Sequence, residues 1–206
     1  MMVKAKGPLW HQKDKQHGHI PPKLRGVDQD ATWSFSKADG WVYGHGTFCI
    51  TSHQGKRLAL FVWMRNSDHE AKLLPGHLKP MQSHLTRVCM DSKADDQHLY
   101  QSLKQQGVQL LTVMRNKTDK TPYRCTMRKE LAKPSLRKEY KKRSITVEPM
   151  QGLIKQLFDL DRCWMRGDET NRWLFAAMGV CVQIAQHQAS RHSRAPFDIQ
   201  DLVLGL

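Results

Sequence analysis

The stretch Thr86–Met114, TRVCMDSKADDQHLYQSLKQQGVQLLTVM, decides the fold class. It opens with a short apolar run typical of a buried strand, and that run ends directly on Asp91. Asp95 or Asp96 can cap the helix that follows, and Gly107 can end it before a second strand-like run. The order strand, helix, strand predicts an α/β layered domain.

A β-hairpin is predicted upstream of this stretch. Residues with β-branched or aromatic side chains are dense over Trp41–Thr51, turn residues follow over Ser52–Lys56, and Arg57–Arg65 is again apolar. A short helix is expected next, capped among Asn66–Asp68 and ended or kinked at Pro75. The hairpin and the later strands are expected to form one central mixed sheet flanked by helices.

The two ends of the chain differ in pattern. Residues 7–40 are rich in proline, glycine and charge and lack a sustained apolar period, which predicts an extended, partly irregular insertion. Apolar residues recur at helical spacing over Val147–Leu157 and from Thr170 to about His187, which predicts two helices. Three aromatic residues are expected to pack in the core beside them: Trp164, Trp173 and Phe175.

The charge of the chain predicts a polyanionic partner. Its 206 residues include 33 Lys and Arg against 19 Asp and Glu, for a formal net charge of +14. The longest apolar runs, Leu58–Met64 and Leu174–Val182, are too short to span a bilayer, so nucleic acid is favoured over a membrane. The N-terminus lacks the apolar stretch of a secretory signal, which predicts a cytoplasmic protein.

The densest basic segment covers residues 128–143, where Lys and Arg far outnumber two glutamates. This pattern favours contacts with DNA phosphates, although a solvated helix is the plainer interpretation. The five cysteines stand apart with no Cys-x-x-Cys pair. They are therefore interpreted as buried reduced thiols, and no structural metal site is predicted.

Two carboxylates are candidates for chemistry. Asp91 follows a buried strand, where open α/β sheets place ligands and metals, although a loop or capping role is commoner. Glu148 opens a predicted helix, and Lys155 follows about two turns later on the same face. Such a face can bring a carboxylate to a divalent cation and an ammonium to a phosphate. On the residues alone, ordinary surface roles are favoured for each.

The segment Tyr140–Lys155, YKKRSITVEPMQGLIK, resembles the C-terminal signature of DDE-type insertion-sequence transposases. In that family a Tyr and an Arg precede the catalytic glutamate, and a Lys follows it after six intervening residues. One departure is that four residues separate Arg143 from Glu148, where the signature has three. The resemblance implies that Glu148 is catalytic and that the basic and tyrosine residues of the segment bind DNA: Tyr140, Lys141, Lys142, Arg143 and Lys155.

Two further stretches extend this resemblance. The motif Cys89–Asp96, CMDSKADD, is similar to the family's second-aspartate motif, and residues 160–177 resemble its helical tail. The resemblance implies that Asp91 and Glu148 are catalytic residues that ligate Mg²⁺ or Mn²⁺. It also implies a ribonuclease-H-like fold.

The start of the chain departs from the family pattern. In related transposases an Asp-Ser-Thr triplet stands just ahead of a segment like Met2–Ala5, so the resemblance implies that the first catalytic aspartate and the first strand are missing. The neighbours of that strand are then expected to be unpaired. The expected organisation is an irregular insertion over 1–40 and a catalytic domain with a helical tail over 41–206. No aspartate of the insertion is expected to substitute: Asp14, Asp28, Asp30 and Asp39.

Two functions remain open at this stage. The first is a catalytic fragment of a bacterial transposase, which cleaves transposon ends and joins them to target DNA with a metal, impaired by the missing aspartate. For this function the resemblance also suggests a homodimer. The alternative is a non-catalytic basic DNA-binding protein, either a relic of such a gene or a regulator.

Overall fold

The computed structural model describes residues 1–37, 39–52, 56–116 and 118–205. The chain forms two compact units, one of Met1–Asp68 with Thr146–Leu206 and the other of His69–Ile145. The expected boundary at residue 40 falls inside the first unit. In chain order the strands and helices are β1 (Met2–Lys4), α1 (Gln12–Gln16), β2 (Thr32–Ser36), β3 (Gly40–Thr51), β4 (Leu58–Arg65), α2 (Glu70–Leu78), β5 (Arg87–Cys89), α3 (Gln97–Gln105), β6 (Gln109–Leu111), α4 (Pro122–Ala132), α5 (Pro134–Lys141), α6 (Val147–Leu157), α7 (Asp168–Arg191) and α8 (Gln200–Leu204).

The first unit contains a four-stranded sheet in which β1, β2 and β4 each pair antiparallel with β3. Gly44 of β3 pairs with both Lys4 and Thr32, and the next residue of β3 pairs with both β1 and β4. Therefore β1 lies on one edge of β3, while β2 and β4 follow one another along the opposite edge. The β3–β4 hairpin is confirmed, and the central turn residues His53–Gly55 lie outside the described residues.

Asn66 and Ser67, which the sequence predicted as helix-cap candidates, instead form hydrogen bonds at the junction between β2 and β4. The Asn66 side-chain amide donates to the carbonyl of Val42 at 2.9 Å, and the backbone N–H of Ser67 donates to Thr32 Oγ1 at 3.0 Å. Helix α2 begins only at Glu70 and contains Pro75. The predicted cap is therefore wrong, because the N-cap position of α2 is His69 and the Asn66 amide bonds a strand carbonyl instead.

The edge of β3 that was expected to lack its partner is paired in part by β1. Its three residues pair with β3, and on its other side the N–H of Cys163 donates to the carbonyl of Lys4 at 2.7 Å. This edge of β3 is therefore paired over β1. Gly44 is required at the crossing, because a Cβ there would lie 2.0 Å from the carbonyl oxygen of Val3.

The described part of residues 7–40 contains regular structure that the sequence did not predict. They contain α1 and β2, and they form a small core with β3 in which Trp10, Ala31 and Tyr43 are buried. Both indoles in this region donate to backbone carbonyls, Trp10 to His19 at 2.8 Å and Trp33 to Trp10 at 2.7 Å. These long-range contacts give a proline-rich segment a defined structure.

Helices α6, α7 and α8 supply the main core of the first unit against the sheet. Phe175 of α7 is fully buried and meets Phe61 of β4 in an edge-on contact at 5.9 Å. The expectation that Trp164 and Trp173 join the core is wrong, because both are exposed. Cys181 is likewise exposed rather than buried.

A carboxylate–imidazole pair is buried in the first unit. His45 Nε2 lies 2.9 Å from Asp28 Oδ2, and both side chains are almost fully buried. The indole of Trp63 donates to His45 Nδ1 at 3.2 Å, so the neutral ring carries its proton on Nε2, facing Asp28. Burial raises the pKa of Asp28, but the bonds from His45 and from the N–H of Gly167 outweigh it and lower the pKa overall.

Replacing Asp28 with Asn should lower the free energy of unfolding at pH 7 by roughly 3 kcal/mol, because it removes one partner of a buried pair. The folded-state pKa lies below the unfolded value, so the carboxylate stabilises the fold above about pH 4 and loses this effect as the pH falls. Urea unfolding at several pH values measures both effects. Asp14→Asn is the matched control, and a wild-type-to-variant gap that stays constant from pH 7 to pH 3 would contradict the assignment.

The second unit contains a parallel pair, β5 and β6, connected by α3. Asp96 caps α3 by accepting from the N–H of Leu99 at 2.9 Å, and the helix stops before Gly107, which has a φ of +73°. The strand, helix, strand prediction is confirmed. The expected single mixed sheet is corrected, because the described strands form a four-stranded antiparallel sheet and a separate parallel pair. Among the described residues no helix is long and apolar enough to cross a membrane.

Candidate functional site

Asp91 stands two residues beyond the end of β5, in a loop whose backbone is fixed on several sides. The N–H of Met90 donates to the carbonyl of Leu111 at 3.0 Å, which extends the parallel pairing up to Asp91. Thr112 Oγ1 donates to the carbonyl of Asp91 at 2.5 Å. The side chain of Asp91 accepts from the N–H of Lys93 at 2.9 Å and caps a short 3₁₀ helix. The carboxylate therefore has one fixed partner and remains partly exposed.

Asp95 is the buried centre of this loop. Its side chain has no exposed surface and accepts three bonds at 2.9 Å, from the N–H of Arg115, the Tyr123 hydroxyl and Arg124 Nε. Burial raises the pKa of Asp95, but the Arg124 guanidinium and the Arg115 N–H outweigh it, so the pKa is lowered. Arg115 Nε also donates to the carbonyl of Ser92 at 2.8 Å. Asp95 thus ties the loop that carries Asp91 to helix α4.

Replacing Asp95 with Asn should loosen this loop, because one neutral oxygen cannot accept the three bonds that the carboxylate accepts. We expect amide hydrogen exchange at Arg115 and Lys93 to become on the order of tenfold faster. Asp119→Asn is the matched control, since Asp119 also pairs with Arg124 but lies outside the loop. Unchanged exchange in the Asp95 variant would count against this anchoring role.

Tyr140 lies within electrostatic reach of Asp91 in the same unit. Burial raises the pKa of the Tyr140 hydroxyl, the Arg143 guanidinium partly opposes this, and the charge of Asp91 adds to the rise. The guanidinium of Arg143 lies over the Tyr140 ring at 5.9 Å. Asp91 therefore lies in the same region of the second unit as Tyr140 and Arg143, which come from a different sequence motif.

The basic segment forms helices α4 and α5, which connect to the parallel strands through polar contacts. Arg87 of β5 pairs with Glu139 of α5 and donates to Gln109 of β6 at 2.7 Å. Gln109 in turn donates to Glu130 of α4 at 2.9 Å. Both glutamates of the segment thus face β5 and β6. The segment's exposed cations are Lys129, Lys133, Arg137, Lys138, Lys141 and Lys142.

A cavity of about 510 Å³ lies beside these helices in the second unit. Its apolar walls come from the segment that follows β6 and from α4, while cations and a tyrosine surround them. The lining residues are Val113, Met114, Arg128, Leu131, Ala132, Arg137, Tyr140 and Lys141.

Glu148 and Lys155 both lie on α6, in the first unit, and both are exposed. The predicted helix is confirmed, so the two side chains stand about two turns apart. Lys155 Nζ lies 2.7 Å from Asp161 Oδ1, and this bond raises the pKa of Lys155. Because exposed ion pairs are weak, Lys155 can exchange Asp161 for another anion at little cost.

The oxygen donors of Asp91 and Glu148 are of the type that Mg²⁺ and Mn²⁺ prefer. However, within the part of the chain that the structure describes, no three His, Cys, Asp or Glu side chains form a group able to hold a metal ion. The donor chemistry of these two carboxylates fits a divalent ion.

Comparison with known families gives one match. Residues 84–185, about half of the chain, match the family model described as transposase DDE domain. This match supports a DDE-type transposase domain over these residues. Asp91, Tyr140, Glu148 and Lys155 all fall within the match. Comparisons with curated proteins and with solved structures give no match.

Sequence reasoning overlooked the residues that hold the loop of this transposase domain. Asp95 was considered only as a helix cap, and Tyr123 and Arg124 were not considered. The one local signal was the adjacent pair Asp95 and Asp96, of which a single helix needs only one as its cap. The structure shows that Asp96 is the cap and that Asp95 accepts from Arg124 instead.

Proposed function

We propose that this chain acts in DNA transposition as the catalytic part of a transposase, cutting DNA at element ends and joining it to a target. The observation that supports this most strongly is the position of Asp91. It follows a parallel strand inside the matched DDE domain, near Tyr140, and its loop is fixed by a buried acid. Carboxylates at such strand ends commonly bind ligands in open α/β sheets.

In this proposal Asp91 and Glu148 are the catalytic carboxylates and would hold Mg²⁺ or Mn²⁺. A bound ion would supply positive charge to the phosphodiester and to the attacking water or 3′-hydroxyl. The chain's own contribution is to keep Asp91 in place through the Thr112 and Lys93 bonds. A homodimer is proposed from the family resemblance.

DNA is the proposed partner of the basic helices. On α4 and α5 the two glutamates are engaged with Arg87, Gln109 and Lys133, and the remaining exposed cations give this surface a positive charge. Tyr140 and Lys141 belong to this surface, and Lys142 and Arg143 follow it along the chain. Lys155, on α6 of the first unit, is proposed separately to contact DNA. Phosphate contacts of this kind give sequence-independent affinity that falls steeply with salt.

A salt titration tests the DNA surface. The double variant Arg137→Ala with Lys141→Ala should reduce the slope of log affinity against log salt by about two, because each lost phosphate contact removes roughly 0.9. Binding to duplex DNA by fluorescence anisotropy measures the slope. Lys13→Ala with Lys23→Ala removes the same charge from the first unit and should leave the slope nearly unchanged. Equal slopes for both double variants would refute the assignment of this surface.

Catalysis is tested by nicking of a supercoiled plasmid that carries the terminal repeats flanking the gene, with Mg²⁺ or Mn²⁺. The proteins are this chain, a form with Asp-Ser-Thr placed before Met1, and Glu148→Gln in each. We expect nicking to depend on the metal. In each form, Glu148→Gln should lower the nicking rate relative to its parent by at least about a hundredfold. Glu70→Gln is the matched carboxylate control.

The outcome also decides between the two functions. The alternative is a non-catalytic DNA-binding relic or regulator, which the net charge of +14 supports without any chemistry. Salt-sensitive binding without nicking by either form would establish that alternative. Nicking that survives Glu148→Gln would remove Glu148 from the proposed site.

A further inference from the structure

Helix α7 presents an exposed apolar stripe that neither the core nor DNA binding explains. Trp173, Val180 and Ile184 are 71%, 51% and 59% exposed, although other residues of α7 fill the core. With about 100° of rotation per residue, these side chains lie within about 40° of one another, inside an arc of about 60°. That arc also includes exposed residues toward each helix end. We define the α7 stripe as Glu169, Trp173, Val180, Ile184, His187 and Arg191.

A contiguous apolar stripe of this kind marks an interaction surface, whereas single exposed apolar residues are ordinary. Nucleic acid is a poor occupant, because the centre of the stripe carries no charge. Of the two charged residues in the stripe, one is acidic and one is basic. A complementary partner surface would therefore have an apolar centre and opposite charges at its two ends.

The spacing of the stripe is symmetric about Val180. Glu169 and Arg191 lie eleven residues on either side of it, and Trp173 and His187 lie seven residues on either side. Ile184 and the small, exposed Ala176 lie four residues on either side. An antiparallel copy of the same helix would thus oppose acid to base, indole to imidazole, and a large aliphatic side chain to a small one.

We propose that the α7 stripe is a self-association surface, which pairs with the α7 stripe of a second copy of this chain around a two-fold axis at Val180. A two-fold axis uses the same patch on both copies, so each favourable pair occurs twice. The Glu169–Arg191 pairs fix the antiparallel direction, since a parallel arrangement would oppose like charges. This inference does not depend on catalysis or on DNA binding.

The size of the stripe predicts the strength of the association. Helix α7 has 24 residues, and at about 1.5 Å per residue and about 10 Å of width it offers roughly 360 Å² per copy. Total burial below about 1,200 Å² is typical of weak, transient interfaces. We therefore expect a reversible dimer that forms at micromolar or higher protein concentration and is lost on dilution.

Disulfide trapping tests the position of the axis. In a Cys181→Ser background, Val180→Cys should form a cross-linked dimer under mild oxidation, because residue 180 of one copy faces residue 180 of the other. Gln188→Cys is the exposed control. It lies about 12 Å along the helix from the axis, so the two thiols would be about 24 Å apart and beyond disulfide reach. Cross-linking of Val180→Cys no stronger than that of Gln188→Cys would overturn the proposal.

Charge reversal tests the direction of the pairing without a covalent bond. Sedimentation velocity over a concentration series should show that Glu169→Arg weakens dimerisation by roughly tenfold, because two attractive pairs become repulsive. Adding Arg191→Glu should restore the wild-type dissociation constant. A double variant no tighter than the single one, or a wild-type chain that is monomeric throughout the series, would refute the α7 stripe as a self-association surface.

Discussion

Backbone hydrogen bonding to β3 is the constraint on which the first unit depends. This strand pairs with β1 on one edge and with β2 and β4 in succession on the other. Unpaired buried backbone groups are costly, so each partner must remain in register. Gly44 permits the close approach of β1, and the next residue, His45, points into the buried contact with Asp28. Through these contacts, β3 positions β1, the hairpin and the buried Asp28 carboxylate.

Buried carboxylates connect the irregular segments to the regular ones in both units. Asp28 accepts from His45 and from the N–H of Gly167, just before α7, while Asp95 accepts from Tyr123 and Arg124 of α4. In each case hydrogen-bond donors outweigh the desolvation penalty and keep the pKa low. Removing one partner from such a group costs more than the pair contributes. Asp28 and Asp95 therefore restrain the loops that they contact more strongly than an exposed ion pair, such as that of Lys155 with Asp161, restrains its own segment.

The two units carry surfaces of different chemical character. In the second unit, Asp91 has a fixed backbone, and the nearby basic helices direct their glutamates toward the parallel strands. The exposed charge there suits a polyanion and the chemistry of a transposase domain. In the first unit, the α7 stripe is apolar at its centre and oppositely charged at its ends. Such a surface suits a copy of itself, because each feature has its complement at the same distance from Val180.

The sequence by itself determined those features that local periodicity and capping encode. These are the α/β class, the hairpin, the strand that leads to Asp91, and the helix that carries Glu148 and Lys155. Only the tertiary structure decided which polar groups meet across long separations. Asp28 reaches His45 17 residues away and Asp95 reaches Arg124 29 residues away. It also decided that Trp173 is exposed while Phe175 is buried. Helical spacing predicts which residues share a face, but the sheet against which a helix packs determines which face is covered.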